Sequence, residues 1–377
     1  MTSVATMELQ EGLAFETTFW RNEGAQKDAF PFRATHINGK RSPKVILCSG
    51  KAILLGKPVR VKVVRVTRLN SAGRGFAEVE YLGPVEFRLD PDIYVDKMLA
   101  KKLQVLLEAG QNILLDGPQG SGKTVLSRSI AQALDMEYVY FNCSSVYEAT
   151  DFVSTLQVRA TEHGQPETVF VPTDIYRAIQ QALEEPHKRF LIFLDEFNRC
   201  REMARNGLMP ALDATRKIFD PMTNSLLDIP DNVQFIAAIN TGAQFTGATA
   251  VDPAQLDRFT PLKMRYPPPE EEAKILRRRY PMLAESLVRT VVEAADAVRK
   301  DMTLGLDLSM RATDEACMLL SHPAFSEETP EAEAVTEVLS TSFCGRFAGM
   351  PDDESSEAGM VWAVVQNALK KGKPSGK

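Results

Sequence analysis

The sequence predicts an α/β fold: a parallel-sheet core flanked by helices, preceded by a small β-rich domain and followed by a helical C-terminal part. Three stretches carry the prediction. Asn112 to Ser127 is a short apolar run that breaks into glycine and turns into a helix. Phe190 to Leu194 is wholly apolar and runs straight into Asp195 and Glu196, and Gln234 to Ile239 is a further buried run that ends at Asn240. Short apolar runs without polar alternation are strands covered on both faces, and strands spaced by helices form a parallel sheet.

The chain of 377 residues has room for two or three domains and a substantial core. No apolar run reaches the length of a membrane span, and the N-terminal MTSVATMELQEG lacks the basic-then-apolar layout of a signal peptide, so a cytoplasmic protein with no membrane partner is expected. Cys48, Cys143, Cys200, Cys317 and Cys344 are scattered and form no C-x-x-C pair, which predicts reduced thiols and no zinc site. The four histidines are unclustered. Charge is uneven: Lys27 to Asp90 carries thirteen Lys/Arg against five Asp/Glu, a surplus of eight inside a chain of formal net charge −6. Such asymmetry points to an acidic partner, or to a surface docked on the acidic remainder of the same assembly.

Gly117, Gly122, Lys123 and Thr124 fill the four fixed places of G-x-x-x-x-G-K-[ST], the phosphate-binding P-loop. Glycines at 117, 120 and 122 let backbone N–H groups turn inward onto phosphate oxygens, where side chains would obstruct them. Lys123 supplies a point charge for the β- and γ-phosphates and Thr124 a hydroxyl for Mg²⁺. The helix that starts there aims the positive end of its dipole at the anion. Pro118, Gln119, Ser121 and Val125 complete the predicted nucleotide-contacting run. Behind this loop, Asp195 at the end of its strand is expected to hold Mg²⁺ through water, and Glu196 to polarise the attacking water. Strand C-termini line the ligand crevice of a parallel sheet, so Asn240 is placed to orient that water.

Taken in order, residues 1–26 mix acids with Phe15, Phe19 and Trp20 and are expected to form an arm without assigned structure. Residues 27–90 read as a β-barrel or sandwich built from KVILC, KAILL, VRVKVVRVTRL and GFAEVEYLG. In the third of these, Arg60 and Lys62 share a face, the alternation slips at Val63–Val64, and Arg65 resumes it, as a bulge would produce. Helix is predicted over Ile93 to Ala109, strand over Tyr138 to Phe141, a hairpin around Val158 to Val171, and helix over Asp174 to Leu183. Met203 to Ala214 follows as helix, and a second hairpin, Lys217 to Ile229, turns at Asp220–Pro221. Tyr266-Pro-Pro-Pro closes a core of residues 91–267. Residues 268–377 are helical and acidic, with Arg311 opening one helix, a last helix near Gly359 to Lys371, and a loose GKPSGK tail.

These motifs resemble an AAA+ ATPase. GPQGSGKT looks like Walker A, LIFLDEFNR like Walker B, AAINTG like sensor 1, DRF like the arginine-finger segment and LSMRAT like sensor 2, in the family's order over about Ile93 to Leu320. The DEFNR wording, VDPAQLDRF and the two hairpins look like the helix-2-insert branch that contains MoxR, CbbQ/NorQ, dynein-related and McrB-type ATPases. The resemblance implies a three-layer αβα core with a C-terminal helical lid, and a homo-oligomeric ring, usually of six, with ATP and Mg²⁺ bound between neighbours. Lys123, Thr124, Asp195, Glu196 and Asn240 would then act in one subunit and Arg258 would reach the γ-phosphate of the next. Arg311 would contact phosphate from the lid, on either side of the interface. Arg199, Arg201 and Arg205 are rival candidates for an interface arginine, but the role expected of them first is surface solubility.

Two functions follow from these readings. In the first, a MoxR-like motor remodels a client or adaptor protein, which in this branch is commonly a von Willebrand A-domain partner. In the second, a McrB-like or helicase-like motor grips nucleic acid through residues 27–90. The surplus of eight cations favours the second, but the hairpin tips TEHGQ and DPMTN contain no Lys or Arg, where a nucleic-acid-tracking pore needs them. No pattern in the sequence reads the base of the nucleotide.

Overall fold

The computed structural model describes residues 11–23, 28–37, 40–49, 58–67, 76–84, 87–160, 165–186, 188–240, 251–301, 304 and 307–371. The chain divides into two compact units. One comprises Met1–Arg88 with Ile130–Glu137 and Glu185–Arg189, and the other comprises Leu89–Ser129, Tyr138–Glu184 and Phe190–Lys377.

The first unit is built on one six-stranded sheet of β1 (Ala14–Thr18), β2 (Trp20–Arg21), β3 (Phe32–Ile37), β4 (Lys40–Cys48), β5 (Pro58–Val66) and β6 (Phe76–Pro84), in the order β1-β5-β6-β4-β3-β2. Alternation dictates the faces. Val59, Val61 and Val63 point into a core with Phe15, Phe19, Ile46 and Val79, while Arg60 and Lys62 point out. The register shifts between Val63 and Arg65, so three residues of β5, Val63 to Arg65, span two of β6, Val79 and Glu78, which is the expected bulge. The sheet curls far enough that the Thr17 hydroxyl of edge strand β1 donates to the His36 carbonyl of β3 at 2.6 Å, a barrel-like closure. Part of the arm to which the sequence assigns no structure is strand: β1 pairs antiparallel with β5, and Phe15 and Phe19 are buried. Their aromatic side chains are what the sheet needs to cover its inner face. The expected KAILL strand and the GKPSGK tail lie outside the described residues.

In the second unit, α1 is Lys97–Glu108. It begins four residues later than the sequence predicts, because the Asp96 carboxylate accepts from the N–H groups of Met98 and Leu99 and fixes the start there. There follow β7 (Ile113–Gly117), α2 (Lys123–Ala133), β8 (Met136–Asn142), the hairpin β9 (Ser154–Ala160) and β10 (Pro166–Pro172), α3 (Asp174–Glu184) and β11 (Arg189–Asp195). Then come α4 (Glu202–Leu212), the hairpin β12 (Lys217–Asp220) and β13 (Ser225–Asp228), β14 (Val233–Asn240), α5 (Pro253–Leu256) and β15 (Thr260–Lys263). The central sheet has the order β15-β7-β14-β11-β8, with β7/β14, β14/β11 and β15/β7 parallel. Its middle strands are covered on both faces, as their unbroken apolar runs require: Phe190 to Leu194 is wholly buried. β15 was not anticipated, since TPLK is four residues long with Pro261 inside it, and only its position on the sheet edge lets a proline stand there.

The C-terminal helices are α6 (Pro269–Arg279), α7 (Glu285–Lys300), α8 (Met310–Ser321), α9 (Pro323–Ser326), α10 (Glu331–Leu339) and α11 (Glu357–Lys371). They enclose a second core of Val288, Val291, Val292, Ala316, Leu339, Phe343 and Val361. A buried ion pair ties three of them. Arg299 of α7 makes two bonds to Glu272 of α6, at 2.5 and 3.1 Å, and Thr313 of α8 donates to the same carboxylate at 2.6 Å.

Candidate nucleotide site

The C-terminal ends of β7, β11 and β14 open on one cavity of about 360 Å³. The loop from Gly117 to Lys123 rims it. Gly120 and Gly122 adopt φ of +73° and +87°, the left-handed region that glycine enters without cost. A Cβ on Gly117 would stand 2.7 Å from the Met264 carbonyl oxygen, and one on Gly120 would stand 2.7 Å from Ser309 Cβ, so both positions exclude a side chain. Tyr266 donates to the Gln119 carbonyl at 2.8 Å while Arg299 lies 4.6 Å from the centre of its ring, which ties the loop to the helical part through the Arg299–Glu272 pair.

Lys123 is buried, and its ammonium donates to the carbonyls of Gly117 and Pro118, both at 2.8 Å. Burial pushes it down from 10.5 to about 8, against the carboxylates of Asp195, Asp116 and Glu196, which favour the charge; Arg311 adds to the depression. Asp116 itself is paired with Lys263 of the neighbouring strand β15.

Thr124 donates to Asp195 Oδ2 at 3.1 Å, and Tyr140 of β8 donates to the same oxygen at 3.3 Å. The Glu196 N–H donates to Asp195 Oδ1 at 3.0 Å. Glu196 sits at φ 52°, ψ 39°, a left-handed conformation that costs a non-glycine residue about 1–2 kcal/mol. That turn takes the chain off the end of β11 and leaves both acids lining the cavity. Arg199 approaches the Glu196 carboxylate at 3.6 Å. Asn240 also lines the cavity, and its carbonyl accepts from Asn198 at 2.9 Å.

The far end of the cavity is lined by Asp92, Ile93 and Tyr94 before α1, and by Ile275, Arg279, Met310, Arg311 and Asp314 from the C-terminal helices. Asp92 pairs with Arg278 at 2.9 Å, and Arg279 pairs with Asp314 at 3.1 Å. Sequence reasoning had assigned none of this end except Arg311, because the contributing segments lie far apart in the chain. The one available signal was the short non-helical DPDIY stretch before the capping Asp96.

Of the expected residues, Gly120, Lys123, Thr124, Val125, Asp195, Glu196, Asn240 and Arg311 share this cavity, with Gln119, Ser121 and Gly122. Gly117 and Pro118 adjoin it through the carbonyls that hold Lys123. Arg258 stands apart: its guanidinium donates to the Ala254 carbonyl at 3.1 Å, within its own short segment. Among the rival arginines, Arg199 faces Glu196 and Arg201 lies over the Tyr147 ring at 4.8 Å. Arg205 is 0 % exposed on the inner face of α4, so a surface-solubility role does not apply to it; burial lowers its guanidinium, beside Cys200 and Cys143. All five cysteines are buried thiols outside any disulfide.

The oxygen donors fit a hard divalent cation. Thr124 and Asp195 offer a hydroxyl and a carboxylate, and the described residues contain no cluster of three or more His, Cys, Asp or Glu that could cage a metal unaided. Mg²⁺ is held in this way, by one or two protein oxygens together with phosphates and water.

Residues 112–259 match the family model of the AAA domain, dynein-related subfamily. Over that segment the chain is similar to AAA+ ATPases. An uncharacterized protein of Staphylococcus saprophyticus is 24% identical over 204 residues, covering 54% of this chain and 74% of the relative. An uncharacterized protein of Staphylococcus aureus strain USA300 is 28% identical over 171 residues, 45% of this chain and 62% of the relative. Among solved structures, a Thermotoga maritima RuvB mutant is similar at 16% identity with a TM-score of 0.42, covering 67% of this chain and 73% of that one. The AAA+ match spans the strands and helices from the phosphate loop to Phe259, with Walker A, Walker B and Asn240 inside it. Among the described residues, no helix is long and apolar enough to cross a membrane.

Proposed function

We propose that this chain hydrolyses ATP with Mg²⁺ in a ring of subunits, usually six among AAA+ ATPases, and uses the cycle to remodel a partner protein. The carrying observation is the meeting of Lys123, Thr124, Asp195, Glu196 and Asn240 at the ends of three adjacent strands around one cavity. On this reading the core of 91–267 binds the nucleotide, and the lid of 268–377 covers it.

Thr124 and Asp195 are the residues that would hold Mg²⁺, which when bound neutralises charge on the phosphate oxygens. Lys123 and the loop N–H groups hold the β- and γ-phosphates. Asn240 orients a water, and Glu196 takes its proton as the water oxygen attacks the γ-phosphorus and the bridging P–O bond to ADP breaks. Arg258, which makes no contact with the cavity of its own chain, supplies charge to the γ-phosphate of the neighbouring subunit. Arg311 approaches the same phosphate from the lid.

Two features support a protein client over nucleic acid. Each hairpin exposes an apolar cross-strand pair: Leu156 opposite Phe170, and Phe219 opposite Leu226. Cations on β5 stand opposite acids on β6, Lys62 facing Glu80 and Arg65 facing Glu78, which weakens the field that the surplus of eight cations would otherwise project. ATP hydrolysis measured with and without DNA or RNA across a salt series tests the choice. Rates indifferent to nucleic acid are expected, and strong stimulation that fades with salt would reverse the assignment.

A further inference from the structure

We propose that Tyr140 is a positioning residue for Asp195: its hydroxyl holds one carboxylate oxygen and so orients the acid for the hydrated divalent cation that accompanies the nucleotide. The inference rests on the reading of the cavity as a Mg²⁺-nucleotide site.

The placement follows from strand geometry. In β8 successive side chains alternate, so Val139 is buried on one side while Tyr138 and Tyr140 share the other, each ring 6.2 Å from Phe193 of β11. The two tyrosines then diverge. Tyr138 is hydrogen-bonded to Ser127 Oγ at 2.9 Å, on the face of α2. Tyr140, 44% exposed, lines the cavity and donates to Asp195 Oδ2 at 3.3 Å.

Asp195 is thereby held by donors from three separate elements. Thr124 and Tyr140 meet Oδ2, and the backbone N–H of Glu196 meets Oδ1. The Thr124 and Glu196 donors belong to the Walker segments. The Tyr140 hydroxyl comes from outside both, and Tyr140→Phe removes it while leaving the Walker segments unchanged. An ordinary phenol titrates near about 10, so at neutral pH the Tyr140 hydroxyl is a donor. A carboxylate that binds a cation through water depends on its rotation about χ2, because the lone pair that receives the water must point at the metal shell. Two side-chain donors converging on Oδ2, with the Glu196 N–H on Oδ1, restrict that rotation. Loss of such outer partners costs metal affinity 10–100-fold where it has been measured.

The test is Tyr140→Phe in the full-length chain, which keeps the ring against Phe193. Binding of a fluorescent ATP analogue (MANT-ATP) is followed first in EDTA and then as Mg²⁺ is titrated. The expected result is unchanged affinity in EDTA, with the Mg²⁺ concentration for half-maximal tightening raised about tenfold. Equal Mg²⁺ dependence in variant and wild type overturns the inference while leaving the nucleotide site standing. Loss of affinity already in EDTA also overturns it, since Tyr140 would then touch the nucleotide itself. A wild type without any Mg²⁺-dependent tightening overturns both the inference and the site reading.

Discussion

Asn240, the last residue of β14, lies in parallel register with Gly117, the residue at which β7 opens into the phosphate loop. The pairing sets an amide side chain beside the phosphate cradle, one strand from the Asp195–Glu196 pair at the end of β11. The strand order thus separates grip from chemistry. Glu196→Gln should bind ATP as wild type does and lose turnover by roughly 10²–10⁴-fold, the range for removal of a general base. Nucleotide binding and phosphate release measured on the same preparation check it, and normal turnover would remove Glu196 from the role.

Lys123 yields a pH dependence with a definite sign. Burial holds its free-state value at about 8, below the ordinary 10.5, and a bound triphosphate raises it again by adding negative charge. Binding therefore takes up a proton above about pH 8, and affinity falls as pH rises through that value, by up to tenfold per unit. Calorimetry in buffers of different ionisation enthalpy should show proton uptake at pH 8.5 and little at pH 6.5. Lys123→Met should show none and bind weakly at both.

Arg258 is turned onto the Ala254 carbonyl of its own segment and away from its own cavity. If it completes a neighbour's site, Arg258→Ala loses turnover by about 10³-fold or more, the scale for an arginine supplied in trans. Mixing inactive Arg258→Ala with inactive Glu196→Gln then restores activity, because some interfaces pair an intact Glu196 with an intact Arg258. A mixture as inactive as its components would rule the arrangement out.

What could be read from the sequence tracks how local each feature's cause is. The loop at 117–124, the acids after β11 and the amide after β14 each sit within one continuous run, so strand, turn and side chain are read together. The bulge in β5 was legible for the same reason, as a slip in a period of two. The features missed are assembled from distant segments. β15 is a strand only because β7 offers it an edge, and Arg205 is buried only because α4 turns that face inward. Asp92 and Asp314 meet through Arg278 and Arg279 of α6. The aromatic alternation of Tyr138 and Tyr140 was visible, but the acid that Tyr140 serves lies 55 residues away.

The Glu272–Arg299 pair predicts a stability effect in the lid. Glu272 is fully buried and Arg299 nearly so, with two bonds between them. Glu272→Ala leaves a buried guanidinium without its counter-charge, which costs about 3–5 kcal/mol. The double change Glu272→Leu with Arg299→Met removes both charges and should recover most of that loss. Thermal melts of the wild type and both variants decide it. Equal destabilisation by the double variant would show that the pair is needed for more than charge balance.

The central claim, cleavage of ATP at a site completed by a second copy of the chain, is tested most directly by the rate of phosphate release per subunit as protein concentration is raised with ATP and Mg²⁺ in excess. The account predicts a specific rate that climbs steeply and then levels off as rings fill. A rate per subunit that is zero, or the same at every concentration while the protein stays monomeric, would contradict it.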